Sequence, residues 1–250
     1  PVSMVDRIHQ DPRIQSTELL LQEQIPQPHA IKETEEVQII SQSTSGEGIS
    51  IAPWPVEQNQ PGKSVHVLTN GRLKLLTTES SSGYLEWEQT ALTRWRQDAA
   101  MDPWGIWFYI QDLDQNKFWS IGSQPLKTKA QEYRVYFSPH MTEIRRITDG
   151  INVILQTTIS PNDDICFQKI TITNQSDQER SLRLLSYGEV VLAAQASDQQ
   201  HPAFNKMFIE RSCLEESNML FFHKRKRSSE EISSGMAHLI YDSIEGVFGY

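Results

Sequence analysis

From Ser64 onward, apolar and polar residues alternate in short runs that are broken repeatedly by Gly, Pro, Asn and Asp. Successive residues of a strand point to opposite faces, so this two-residue period suits half-buried strands and not helices. The run 65–69, then Asn70-Gly71, then 72–77 reads as a hairpin, because Asn-Gly accepts the positive φ that a type I′ turn needs at both central positions. Residues 106–111 and 117–121 flank a polar turn at 112–116, and Asp149-Gly150 joins 141–147 to 151–159. Further alternating runs fall at 132–137, 165–173, 181–192, 206–210, 219–223 and 237–241. Roughly ten to fourteen closely spaced strands with turn residues between them predict a mainly β fold, a large antiparallel β-sandwich.

The N-terminal part differs. Asp11 suits an N-cap and Pro12 a first helical position, with Ile14, Leu20, Leu21 and Ile25 forming an apolar stripe that ends before Pro26. The expected organisation is a short helical tail of a preceding domain over 1–25, an irregular linker over 26–63 and the sandwich over 64–250. A chain that opens on Pro1 and stops at Val247-Phe248-Gly249-Tyr250, inside a strand-like run, is expected to be cut from a longer one.

A net charge of −9 argues against nucleic-acid binding, which needs clustered Lys and Arg to displace counterions, and leaves neutral partners such as sugars open. The basic cluster Lys224-Arg225-Lys226-Arg227 reads as a solvated loop. Cys166 and Cys213 are too few for a disulfide scaffold, which makes a reducing compartment the default. No apolar run approaches the roughly 20 residues of a membrane helix, so no membrane contact is expected of this segment. The histidines form no metal-ligand spacing, and no metal site is expected.

The residues most suited to a binding surface lie between Val65 and Trp107, where four of the six tryptophans fall. Aromatic faces stack on the C–H faces of pyranose rings, while Arg and Asp engage hydroxyls. Tyr84, Trp87, Arg94, Trp95, Asp98 and Trp104 are therefore candidate substrate-binding residues. The same tryptophans serve equally well as the core of a sandwich, and composition does not separate the two readings. Glu86 and Glu88, on one face of a strand, together with Asp98 also raise a paired-carboxylate glycosidase, although nothing in their spacing marks an acid and a base. Solvated acidic positions are the plainer account, and no catalytic residue is assigned.

Several motifs, in order, carry a resemblance: Leu68-Thr69-Asn70-Gly71-Arg72, Ser82-Gly83-Tyr84, Arg94-Trp95-Arg96, Asp102-Pro103-Trp104-Gly105, Thr171-Ile172-Thr173-Asn174, Leu185-Ser186-Tyr187-Gly188-Glu189-Val190 and His201-Pro202-Ala203-Phe204. Together they resemble the N-terminal β-sandwich of the cellobiose- and chitobiose-phosphorylase family, glycoside hydrolase family 94, above all the phosphorylase-like module of its cyclic β-1,2-glucan synthase branch. Residues 2–25 are similar to the junction by which a preceding domain enters that sandwich. The resemblance implies a supersandwich of the galactose-mutarotase type, followed by an (α/α)6 barrel that holds the catalytic Asp and binds inorganic phosphate outside this segment, with no cofactor within it. It further implies a non-catalytic module that shapes the barrel's cleft, with upstream and downstream domains, β-glucan and a homodimer mate as partners. The parent is implied to be anchored in the bacterial inner membrane with this segment on the cytoplasmic side. At Ser80-Ser81-Ser82 the chain departs from the family's more usual Asn-Ala-Gly before the Gly-Tyr pair.

Overall fold

Sixteen strands and two short helices follow one another along residues 52–57, 63–96, 102–226 and 234–241, the parts of the chain that the computed structural model describes. The helix expected before Pro26 lies outside them. In chain order the strands are β1 (Trp54–Pro55), β2 (Val65–Thr69), β3 (Leu73–Thr78), β4 (Gly83–Trp87), β5 (Thr90–Thr93), β6 (Trp107–Asp112), β7 (Lys117–Ser120), β8 (Glu132–Ser138), β9 (Met141–Thr148), β10 (Ile151–Ile159) and β11 (Cys166–Asn174). Then come β12 (Leu182–Tyr187), β13 (Val190–Ala193), helices α1 (Gln195–Gln200) and α2 (Pro202–Lys206), and β14 (Ile209–Leu214), β15 (Met219–Lys224) and β16 (Gly235–Leu239). Among the described residues no helix is long and apolar enough to cross a membrane.

Four antiparallel sheets result, ordered β1-β8-β9-β10-β11, β12-β6-β7, β13-β5-β4-β3-β2 and β14-β15-β16. Strand β10 shows why the sequence folds this way. Ile151, Val153 and Leu155 are buried while the residues between them are half-exposed, so one face of the strand reads as core. These three meet Ile110, Trp119, Val135 and Ile144 in the first core cluster, between the five-stranded sheet of β8–β11 and the three-stranded sheet of β6. A second cluster gathers Leu68, Leu73, Leu75, Leu85, Leu92 and Leu192 from the other five-stranded sheet, against Phe222 and Met236 of the β14–β16 sheet. Burying each such side chain contributes about 1.5–3 kcal/mol.

The turns are resolved differently from one another. Asp149 and Gly150 both take positive φ, 50° and 76°, as a primed two-residue turn requires. In the first hairpin only Gly71 does so, at 94°, and Thr69 pairs with Lys74, which shifts the turn one residue past the Asn70-Gly71 centre expected. The physical reason is the Asn70 side chain. Its Oδ1 accepts from the N–H groups of Arg72 and Leu73, while its Nδ2 donates to the carbonyls of Ser160 and Asp163, tying the hairpin to the β10–β11 connection.

Further expectations are corrected. The run 181–192 is not one strand: β12 pairs with β6, β13 pairs with β5, and the chain changes sheets at Gly188-Glu189. Helices α1 and α2 occupy the stretch after it, which includes the His201-Pro202 segment. Lys224 is not part of a solvated run, being 6% exposed at the end of β15. Trp54 and Pro55, inside the stretch read as linker, pair with Phe137 and Tyr136 of β8.

Candidate functional site

The break between β12 and β13 places Glu189 beside the end of β5. The Arg94 N–H donates to the Glu189 carbonyl at 2.8 Å, just beyond the Thr93–Val190 pair. The Arg94 guanidinium then reaches three other segments. Nε donates to Asp198 Oδ2 and Nη2 to Asp198 Oδ1, both at 2.8 Å, in the bidentate fork that Arg forms with carboxylates. Nη1 donates to Glu189 Oε2, and Nη2 also donates to the Pro202 carbonyl at 3.3 Å. Arg94 and Asp198 are 8% and 4% exposed. The hydrogen bond to Asp198, with the two carboxylates' charge, holds Arg94 above its ordinary pKa despite burial.

The facing wall is built by a second set of polar contacts. The Asp102 carboxylate, 4% exposed, accepts the hydroxyls of Thr78 at 2.8 Å and Ser80 at 2.6 Å. The Trp104 carbonyl accepts the Gly83 N–H at 2.9 Å and the Ser82 hydroxyl. Gly105 closes against this turn, where a Cβ would stand 3.2 Å from the Ser81 carbonyl oxygen and Ser82 Cα. Ser80 and Ser82 of the departing Ser80-Ser81-Ser82 run thus bond to the 102–105 segment. Between the two walls lies a cleft of about 240 Å³ lined by Arg94, Pro103, Trp104, Gly105, Trp107, Tyr187 and Glu189.

Of the residues expected at a site, Arg94 and Trp104 meet at this cleft. Tyr84 and Trp95 stack on each other, with ring centroids 5.4 Å apart and planes 18° from parallel. The Tyr84 hydroxyl donates to Glu86, which also pairs with Lys74 at 2.9 Å, and burial raises the Tyr84 pKa. Trp95 Nε1 and Arg96 Nε are buried without a hydrogen-bond partner, and the Arg96 guanidinium lies 5.7 Å from the Trp104 ring centre. Trp87 packs against the second core cluster and donates from Nε1 to Asp164 at 2.9 Å. Asp98 lies outside the described residues. The expected pairing of Glu86 and Glu88 on one strand face is corrected: β4 ends at Trp87, and Glu88 turns away with φ 53°.

Sequence reading assigned no role to Tyr187, Glu189 or Asp198. A signal for the first two was present in Tyr187-Gly188-Glu189, where a glycine separates an aromatic from an acid in the middle of a strand-like run. For Asp198 there was none, because its partner lies 104 residues away.

Chemically the cleft offers the aromatic rings of Trp104, Trp107 and Tyr187 beside the polar side chains of Arg94 and Glu189. Glu189, the acidic residue that lines it, is engaged by Arg94, as is the neighbouring Asp198.

The family model described as "Glycosyl hydrolase 94, supersandwich domain" matches residues 52–247. Over 239 residues, 94% of the chain, the sequence is 25% identical to cyclic beta-(1,2)-glucan synthase NdvB of Rhizobium meliloti (strain 1021), covering 8% of that protein. It is 24% identical over 98 residues to solabiose phosphorylase of Paenibacillus borealis, 39% of this chain and 13% of that one. It is 26% identical over 116 residues to N,N'-diacetylchitobiose phosphorylase of Vibrio proteolyticus, 46% of this chain and 14% of that one. The chain thus spans a small part of the length of each of these relatives.

Proposed function

The chain belongs to the glycosyl hydrolase 94 supersandwich family, and from that premise we propose that it is a non-catalytic, carbohydrate-associated module of a β-glucan-processing enzyme similar to the cyclic β-1,2-glucan synthases. In this reading it shapes the cleft of a downstream (α/α)6 domain, which carries the catalytic acid and the phosphate site, and touches glucan through Trp104 and Tyr187. The observation that carries the proposal is the arrangement of the cleft itself: aromatic rings line it while Glu189 and Asp198 are spent on Arg94. An inverting or retaining glycosidase needs one carboxyl to protonate the leaving oxygen and a second to act as base or nucleophile. Carboxylates held as ligands of a buried guanidinium serve position instead.

The test is an assay of residues 1–250 with linear β-1,2-glucooligosaccharides, with and without inorganic phosphate, following glucose and glucose 1-phosphate. No turnover is expected in either condition. Turnover removed by one carboxylate substitution in a folded variant would overturn the non-catalytic reading.

A further inference from the structure

The outward face of the β12-β6-β7 sheet continues from the cleft. Register sets Tyr187 opposite Trp107, Leu185 opposite Tyr109 and Arg183 opposite Gln111, while Gln111 faces Phe118 on the other side. Residues of the opposite parity, Phe108, Ile110 and Trp119, enter the first core cluster, so the Tyr187, Leu185, Tyr109 and Phe118 side chains stand on the outer face. A surface strand face is ordinarily polar, yet here Tyr187 is 54%, Phe118 46% and Leu185 37% exposed. Tyr109 braces Phe118, with ring centroids 5.1 Å apart and planes 16° from parallel, so the exposed ring is held in place. Beside it the Arg183 guanidinium donates to the Gln111 amide oxygen at 3.4 Å, leaving further donors of both side chains for a ligand.

We propose that this face is a track for a neutral glucan chain, one that begins at the Trp104–Tyr187 cleft and runs across β6 to Phe118. Tyr187 belongs to both: it lines the cleft and opens the stripe. The chemistry favours a sugar polymer over an anionic one, since the chain carries a net charge of −9. It also favours a sugar over an aliphatic surface, because ordered aromatic rings beside amide and guanidinium donors match the alternating C–H faces and hydroxyls of a pyranose chain. Spacing agrees: Tyr187 and Phe118 are four register positions and two strands apart, a diagonal on the order of 16 Å, which is longer than one sugar ring.

The proposal rests on the glucan-contact reading of the cleft, and one experiment separates the two. Residues 1–250 are titrated calorimetrically with a disaccharide, a tetrasaccharide and an octasaccharide of β-1,2-linked glucose, alongside Phe118→Ala. The expected result is an affinity gain of about tenfold or more from the shortest to the longest ligand, abolished in Phe118→Ala while disaccharide binding persists. Equal affinities across the three lengths in the unsubstituted chain would overturn the track and leave the cleft standing. Absence of any binding would overturn both. Concentration-dependent dimerisation in sedimentation that Phe118→Ala dissolves would show that a second copy covers this face, and would also overturn the track. The length series in the unsubstituted chain decides the matter even where the variant fails to fold.

Discussion

Arg94 grips Asp198 through two parallel hydrogen bonds of 2.8 Å, joining the end of β5 to helix α1 across 104 residues of chain. Both groups are buried, and Arg94 is the partner that offsets the buried charge of Asp198. Asp198→Ala is expected to cost about 3 kcal/mol, because Arg94 loses two charge-assisted hydrogen bonds and keeps only Glu189 and the Pro202 carbonyl. Denaturant unfolding followed by circular dichroism checks this, and a loss below about 1 kcal/mol would show that the pair behaves as a surface one.

Glycines at two turns should respond very differently to a methyl group. Gly83 has φ 148°, and a Cβ there would sit 1.9 Å from the Leu76 carbonyl oxygen, in the backbone of the neighbouring strand. Gly83→Ala is expected to lower stability by about 3 kcal/mol or more. Gly71 has φ 94° with nothing within 4 Å, so Gly71→Ala should lose only about 1 kcal/mol from its backbone conformation. Paired chemical denaturation of the two variants measures the difference.

Acid should weaken the fold through its buried histidines. His66 stacks on Phe137, hydrogen-bonds the Thr142 hydroxyl and has its pKa lowered from 6.5 by burial, against a smaller raising effect of the Ser138 backbone. Burial lowers His238 as well. The unfolded chain therefore takes up protons at higher pH than the folded one, so stability is full above pH 6.5 and falls as the pH drops from there through the folded values. Unfolding free energy measured from about pH 8 to about pH 5 should fall, and His66→Phe should reduce the slope.

A second acid step belongs to Asp112. Burial alone would raise its pKa, but the Gln115 N–H, the Arg180 guanidinium and the Asp114 N–H together hold it below 3.8. Its contribution is present above that value and is lost as pH falls through the lowered one. Asp112→Asn should flatten the stability profile below about pH 4 and leave the histidine step in place.

The β character and most hairpins were legible because a two-residue period survives in short windows, as β10 shows with Ile151, Val153 and Leu155 inward. Glycoside hydrolase family 94 was legible from ordered motifs that run along the chain and is matched over residues 52–247. The helices were not, because Gln195–Gln200 and Pro202–Lys206 are too short for a helical stripe and are held by tertiary contacts such as Asp198 with Arg94. The site was legible only in part. Composition marks Trp87 and Trp104 alike, yet strand parity turns Trp87 toward Leu73 and Leu85, while loop geometry brings Trp104 to the cleft. Glu189 reaches Arg94 because the chain changes sheets at Gly188, an event decided by pairing partners far away in sequence.

The most direct test of the glucan-contact account is calorimetric titration of residues 1–250 with a β-1,2-linked glucose tetrasaccharide, repeated on Trp104→Ala. The account predicts saturable binding by the unsubstituted chain and a loss of about tenfold or more in affinity in a Trp104→Ala variant whose unfolding midpoint is little changed. A flat titration of the unsubstituted chain, or unaltered binding by the folded variant, would contradict it.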